Sequence, residues 1–513
     1  MLWLWLLGCQ TMGSLVPVSG PVGTDGTTSA TSGTSTSTSP VVPVVSVTAE
    51  VVDPLVGAIS WSVSGLVDEE GSLSIEGSDG VVYTDTYGAT TKGSTGSWDG
   101  RLGDGSWAGL GRYTLRLTVA GQVVAETSAA LVRAGLTTAY AEDDDGLTSR
   151  RVDMYWWEDS TRQSEGYAIT GLEQLEDADT QTPLPFAPVS DELRVGQNIQ
   201  GTQRLAYTFD SRPLLTIEVG GPEDTFFGAT GLDAVALRVE AAGWTVQGDG
   251  LLSDDGLVTL MRDAPLSEEG TVGVTEELVT FSFVHDAKNG PQVVGTQTLP
   301  LMMYRVLGPA TFGHSGERYT AWAEALDELL PFIEGTSAEH DAVANAVVDY
   351  VYHETGLEYD TRRGASAYSD YDWGWDPHVY FSDFLDRRFG TTINCTDAGN
   401  LVTTYANMVG AELRHLIILE NFSLDEIKAI GIEEYTSCPF GPGGCGFSYH
   451  AVTTDDGGDT IWDATLALDG DDDPGSAPHE VMMVQAIDGE EYLNRLVRDD
   501  FAYYDYENEG TIQ

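Results

Sequence analysis

The sequence predicts a multidomain protein in which an all-β N-terminal part is followed by an α+β C-terminal domain. Three observations carry this. The chain has 513 residues, room for roughly three or four domains of about 150 residues. Strand-like alternation within 44–135 and short β-like runs over 136–305 give way to helical spacing after residue 310. The composition is 41% hydrophobic, with 12 Trp and 22 Tyr, which supplies more than one buried core and excludes a wholly disordered chain.

At the start, Leu2-Trp3-Leu4-Trp5-Leu6-Leu7-Gly8 precedes Cys9. Leu6-Leu7-Gly8-Cys9 resembles a bacterial lipobox, whose cysteine is diacylated and becomes the mature N-terminus. The resemblance implies a lipoprotein-type signal over 1–9, a lipid on Cys9, and a protein exported and anchored to the bacterial envelope, at the outer membrane or cell surface. Two features depart from the pattern. No Lys or Arg precedes Lys92, and the apolar run is shorter than a usual h-region. Residues 10–43 read as a linker: 24–39 are almost wholly Thr, Ser and Gly, closed by Pro40 and Pro43, with nothing to bury. No later apolar run reaches the ~20 residues a spanning helix needs, so membrane contact is expected only through the anchor.

Charge narrows the partners. The chain has 81 Asp and Glu against 24 Lys and Arg, a net charge of −57, and its only lysines are Lys92, Lys288 and Lys428. Such a surface repels phosphate backbones and anionic headgroups, so no nucleic-acid partner and no basic membrane-docking patch are expected.

Over 44–135, Tyr113, Leu115, Leu117 and Val119 alternate with Thr114, Arg116 and Thr118, and Ala120-Gly121 turns the chain into Val123 and Val124. Ser97-Trp98-Asp99-Gly100-Arg101, Asp104-Gly105 and Gly111-Arg112-Tyr113-Thr114-Leu115 resemble the end of the Ig-like domain of the flagellar hook-capping family. That implies an Ig-like β-sandwich and no flagellar role. Over 136–305, strand-like runs at 234–239, 257–261 and 279–284 are separated by Gly and Asp clusters, which predicts a second, sandwich-like β-rich domain. The acidic stretches 142–145 and 469–473 fit no EF-hand loop and read as solvated turns.

Residues 306–513 form the α+β domain. Thr336 with Glu339 predicts a capping box, followed by a helix with Val343, Ala346, Val347, Tyr350 and Val351 on one face. A second helix is expected from Cys395, with Ala398, Leu401, Val402, Tyr405 and Met408 sharing a face, Asn394 as cap and Gly410 as stop. A strand over 413–419 follows.

The cysteines and one histidine carry the chemistry. Cys438 and Cys445 bracket a turn-rich hexapeptide and form a disulfide candidate in an oxidising compartment. Zinc binding by that pair lacks a second ligand pair at finger spacing. Cys395 is left over, in the first turn of its helix, where unpaired N–H groups and the macrodipole favour an anionic sulfur. His450 and Asp463 flank Asp456-Gly457. A two-residue turn there sets them directly opposite on a hairpin, where the carboxylate can orient the imidazole.

Asn394-Cys395-Thr396-Asp397-Ala398, His450-Ala451 and Trp462-Asp463 together resemble, in order and spacing, the three motifs of the transglutaminase-like superfamily. The resemblance covers residues 335–470 and implies a papain-like, cysteine-protease-like fold. In it Cys395 is the nucleophile, His450 the general base and acid, and Asp463 its partner. Val452 and Ala464 stand where many members have Trp and Pro. The oxyanion would meet the Cys395 N–H, and Trp373 or Trp375 is the candidate for the side-chain donor the family often adds. The chemistry implied is acyl transfer through a thioester on extracellular protein or peptide. Water as acceptor gives a peptidase or deamidase, and an amine gives cross-linking. Neither cofactor nor metal is required. The other reading is a non-catalytic surface protein carrying a degenerate domain of this type.

Overall fold

The computed structural model describes residues 42–48, 51–52, 57–66, 70–78, 80–88, 93–106, 108–109, 111–131, 135–142, 151–152, 154–156, 161–163, 203–220, 237–248, 257–287, 290–311, 321–371, 377–473, 476–498, 504–508 and 511–512. Cys9, the linker up to residue 41, Trp373, Trp375 and Asp143–Asp145 lie outside them.

The first core is a two-sheet sandwich. One sheet orders Val44–Val47, Ile59–Ser64 and Ser94–Trp98. The other orders Val51–Val52, Gln122–Leu131, Gly111–Val119, Gly71–Gly77 and Gly80–Tyr87. Alternation fixes which side chains meet. Ile59, Trp61 and Val63 of the first sheet share a core with Leu73, Leu115 and Leu117 of the second. Val119 pairs with Gln122 across Ala120-Gly121, both at positive φ (49° and 78°), a twist that suits a two-residue hairpin.

The second core lies inside one nine-stranded sheet. Its order is Arg151–Val152, Gln203–Thr208, Gly290–Val306, Gly273–Ala287, Leu237–Ala241, Trp244–Val246, Leu257–Arg262, Leu214–Gly220 and Gly135–Glu142. Where sequence spacing suggested two packed sheets, a single sheet curls on itself. The hairpin of Gly273–Ala287 with Gly290–Val306 is long enough for strand twist to accumulate. The Leu136 N–H of the edge strand then reaches Gln297 Oε1 at 2.9 Å.

The third core holds the helices: α1 (Ala323–Leu329), α2 (His340–Asp349), α3 (Phe381–Leu385), α4 (Cys395–Met408) and α5 (Gly489–Leu496). They pack on a six-stranded sheet ordered Lys428–Ala429, Thr460–Asp469, Gly446–Thr454, Arg414–Ser423 and Tyr504–Asn508, with Val481–Asp488 also paired to Thr460–Asp469. Helix α2 buries Val343, Val347 and Val348, and continues as a π-turn over Tyr350–Glu354. Its start departs from the capping expectation. Glu339 occupies the cap and no side chain caps the helix. The segment carrying Thr336 is committed elsewhere: its carbonyl accepts from Val272 N–H at 3.0 Å, and Ala338 N–H donates to Gly270 O at 2.8 Å.

Every residue of α4 is buried. A wholly buried helix with polar residues must satisfy them internally. Thr403 Oγ1 donates to Gly399 O at 2.9 Å, and Asn407 exchanges two bonds with the Leu413 backbone, at 2.6 and 2.7 Å. Gly410 ends the helix at φ 86°, and a Cβ there would lie 2.6 Å from Gly308 N. The third core also draws in Val152, Met154, Ala206, Val272 and Tyr304. Met154–Trp156 pairs in parallel with Ala321–Trp322, which ties this earlier stretch to the start of α1.

Candidate active site

Cys395 is the first residue of α4 and is 3% exposed. A reciprocal capping box sets the helix start. Asn394 Oδ1 accepts from Asp397 N–H at 3.1 Å, and Asp397 Oδ2 accepts from Asn394 N–H at 3.3 Å. The Asp397 carboxylate also accepts from Ala367 N–H (2.7 Å), Tyr368 N–H (2.9 Å) and Ser366 Oγ (2.7 Å), which pins the 366–368 loop over the helix start. Burial raises its pKa against these bonds.

His450 and Asp463 are both fully buried, and His450 Nε2 lies 2.9 Å from Asp463 Oδ2. They meet on a register other than the one expected. Thr453 pairs with Trp462 and Thr454 with Ile461. The connection is therefore longer than two residues, because Asp455 Oδ1 accepts from Asp459 and Thr460 N–H (3.1 and 3.4 Å) and builds a wider Asx-stabilised loop. Extending this register sets Val452, not His450, opposite Asp463. The offset is two residues, so the face is kept, and the imidazole reaches the carboxylate along the diagonal.

Three further contacts fix this pair. Tyr492 Oη donates to Asp463 Oδ2 at 2.9 Å, Thr465 N–H donates to Asp463 Oδ1 at 2.6 Å, and the Phe447 ring stacks on the imidazole at 4.8 Å and 3°. Burial alone would lower the His450 pKa. Attraction to Asp463, its hydrogen bond and the neighbouring Cys395 sulfur outweigh that and push it up to about 10. Nδ1, the nitrogen that Asp463 leaves over, is buried with no partner in normal hydrogen-bond geometry among the described residues. Two tyrosines complete the surroundings of the sulfur. Burial first, and the Cys395 charge second, raise the pKa values of Tyr359 and Tyr449, so both phenols stay protonated. Tyr449 Oη lies 3.2 Å from Thr396 Oγ1.

A cleft of about 670 Å³ runs over Cys395. The loop with Arg362, Arg363 and Gly364 lines one part of it, and the segment from Gly443 to Tyr449 lines another. A Cys438–Cys445 disulfide closes the second loop. Gly364, at φ 60°, approaches Phe440 of that loop, with 3.2 Å from a built Cβ to its ring.

The structure thus brings Cys395, His450 and Asp463 to one place and joins Cys438 to Cys445, whereas Trp373, Trp375 and Cys9 fall outside the described residues. Tyr492, Tyr359 and the two arginines carried no sequence signal, since no periodicity links them to the motifs. Phe447 sits in the His450 strand and was visible there only as a β residue. One residue of the 469–473 turn differs from expectation, while Asp472 and Asp473 are exposed. Asp469 is fully buried, not solvated, with Oδ2 2.7 Å from His479 Nδ1 and Oδ1 accepting from Glu480 N–H at 2.8 Å. Among the described residues no cluster of three or more His, Cys, Asp or Glu could hold a metal ion.

No family model and no curated protein matches the sequence. Among solved structures, red sea bream transglutaminase aligns with a TM-score of 0.29 and 10% identity over 51% of this chain and 46% of that one. The three N-terminal domains of the bacteriophage RB49 highly immunogenic outer capsid protein align at 0.22 and 11% identity, over 52% of this chain and 70% of that one. A β-glucuronidase of glycoside hydrolase family 2 aligns at 0.14 and 11%, over 86% and 38%. The chain spans less than half of the transglutaminase it resembles. Likenesses this distant carry no argument about activity, which has to come from the site.

Proposed function

We propose that this protein catalyses cysteine-dependent acyl transfer or hydrolysis through a thioester at Cys395, with a transglutaminase-like division of labour. The observation that carries the reading is the buried His450–Asp463 contact of 2.9 Å beside the only free cysteine among the described residues, under an open cleft. Asp463 holds the imidazole through Nε2, which leaves Nδ1 as the proton carrier. The Cys395 sulfur attacks a carboxamide or peptide carbonyl, and the Cys395 N–H at the helix start donates to the developing oxyanion. Nδ1–H protonates the leaving amine as the C–N bond breaks. His450 then takes a proton from water or an incoming amine, which attacks the thioester and frees the sulfur. Water yields a peptidase or deamidase, and an amine yields a cross-link.

The substrate we assign is extracellular protein or peptide. A disulfide at Cys438–Cys445 is at home in an oxidising compartment, and the lipobox-like Leu6-Leu7-Gly8-Cys9 fits a lipid anchor on the bacterial envelope. The test is mass spectrometry of a glutamine-rich protein incubated with the enzyme and a primary amine. Amine incorporation, deamidation and chain cleavage have distinct masses, and Cys395→Ala should abolish whichever occurs. Absence of all three, with equal iodoacetamide labelling of wild type and His450→Ala, would leave the non-catalytic reading.

A further inference from the structure

We infer that the cleft over Cys395 selects a substrate bearing a carboxylate near the reacting carbonyl, and that Arg362 and Arg363 recognise it; this rests on the acyl-transfer reading of the same site. The chain carries 81 acidic and 24 basic residues. The cleft inverts that balance, because its described lining includes Arg362 and Arg363 and no Asp or Glu. Apart from Cys395, the remaining polar side chains there, such as Asn421, Ser423 and Ser448, are neutral. Elsewhere an anion meets repulsion, so a local pair of guanidinium groups between protein walls creates a focused positive field.

The two arginines are held in place through their backbone. Asp360 Oδ1 accepts from Arg362 N–H (3.0 Å) and Arg363 N–H (3.1 Å), and Oδ2 accepts from Ala365 N–H (3.2 Å). Gly364 N–H closes the turn on Asp360 O at 2.9 Å. The one nearby carboxylate on this loop is thereby engaged by main-chain donors, with Arg363 adding to its stabilisation. Both arginine side chains are exposed; Arg363 feels Asp360 electrostatically, and among the described residues neither guanidinium makes a side-chain hydrogen bond or an ion pair within 4.0 Å. A guanidinium fork is matched to a carboxylate, which it can bind bidentately. That carboxylate can come from acidic side chains flanking the reactive residue or from a free C-terminus.

The experiment uses full-length Cys395→Ala, so that binding is read without turnover, at about 0.15 M salt to screen the distant acidic surface. Peptides labelled with an uncharged BODIPY dye are compared by anisotropy: a blocked Gly-Gln-Gly series, the same with Glu flanking the Gln, and the same with a free C-terminus. At least one carboxylate-bearing peptide should bind up to about tenfold tighter than the blocked neutral one. The gain should vanish in Arg362→Gln/Arg363→Gln. Which of the two gains more identifies the source of the carboxylate. Equal binding of all three, or a gain that survives the double substitution, overturns the inference. A second readout uses the reactive sulfur. The rate of alkylation by anionic iodoacetate relative to neutral iodoacetamide should fall several-fold in the double variant, and an unchanged ratio counts against charge selection. If Cys395 reacts with neither reagent, the acyl-transfer reading fails, while the peptide measurement still decides the inference.

Discussion

At the residue scale, the His450–Asp463 pair is held by groups that the proposed chemistry does not use. Tyr492 Oη shares Asp463 Oδ2 with His450. Tyr492→Phe should cost about 2 kcal/mol, the usual worth of a buried hydrogen bond to a charged group, measurable as a shift in urea midpoint. It should also slow iodoacetamide labelling of Cys395, because the imidazole loses part of its support. Two histidines set opposite pH flanks. His450, held up to about 10, contributes stability that is complete below the ordinary histidine value near pH 6.5 and is lost as pH rises towards 10. His415 is fully buried, and burial with repulsion from His450 lowers it to about 3. Its contribution is complete above about pH 6.5 and is lost as pH falls towards 3. Urea midpoints across that range should therefore fall on both sides, with His450→Gln flattening the alkaline flank and His415→Gln the acid one. An alkaline flank that stays equally steep in His450→Gln would contradict the assigned ion pair. Cys395, His450 and Asp463 were legible because their motifs are local strings in a fixed order. The supports were not, since Tyr492 meets Asp463 only through the packing of α5 against the sheet.

At the element scale, α4 was the most legible part of the fold, and the reason is that both of its ends are written locally. Asn394 caps it and Gly410 stops it. Asn394→Ala should cost about 1 kcal/mol, and Gly410→Ala more than about 1 kcal/mol, since its left-handed φ is joined by a backbone contact with Gly308. Chemical denaturation of the two variants checks both values. The start of α2 shows the opposite case. Thr336 and Glu339 have capping-box spacing, yet strand-like bonds from Val272 and Gly270 claim that segment before it can cap anything. The hairpin is intermediate. Alternation gave the correct face for Asp463, while the register depended on an Asp455 loop that looks, residue by residue, like a shorter turn.

At the scale of the whole molecule, the charge of −57 and the arrangement of cores decide behaviour. Self-repulsion should make stability rise with salt. The melting temperature should increase between about 0.01 M and about 1 M NaCl, as the screening length drops from about 30 Å to about 3 Å, and a flat response would mean that the acidic surface costs the fold nothing. The class of each half was readable from the change of period near residue 310. The curl of the nine-stranded sheet was not, because it depends on accumulated strand twist and on the reach from Leu136 to Gln297. Nor was the edge of the third core, whose early members Val152, Met154, Ala206, Val272 and Tyr304 lie among β strands. That shared interior has a genetic corollary. A crossover that imported only the stretch after residue 306 into another gene would deliver the helices without Val152, Met154, Ala206, Val272 and Tyr304, and would leave part of their apolar core open to water. Inheritance of this helical half therefore has to carry the β-rich neighbour along, from Arg151 onward, as a single unit of descent.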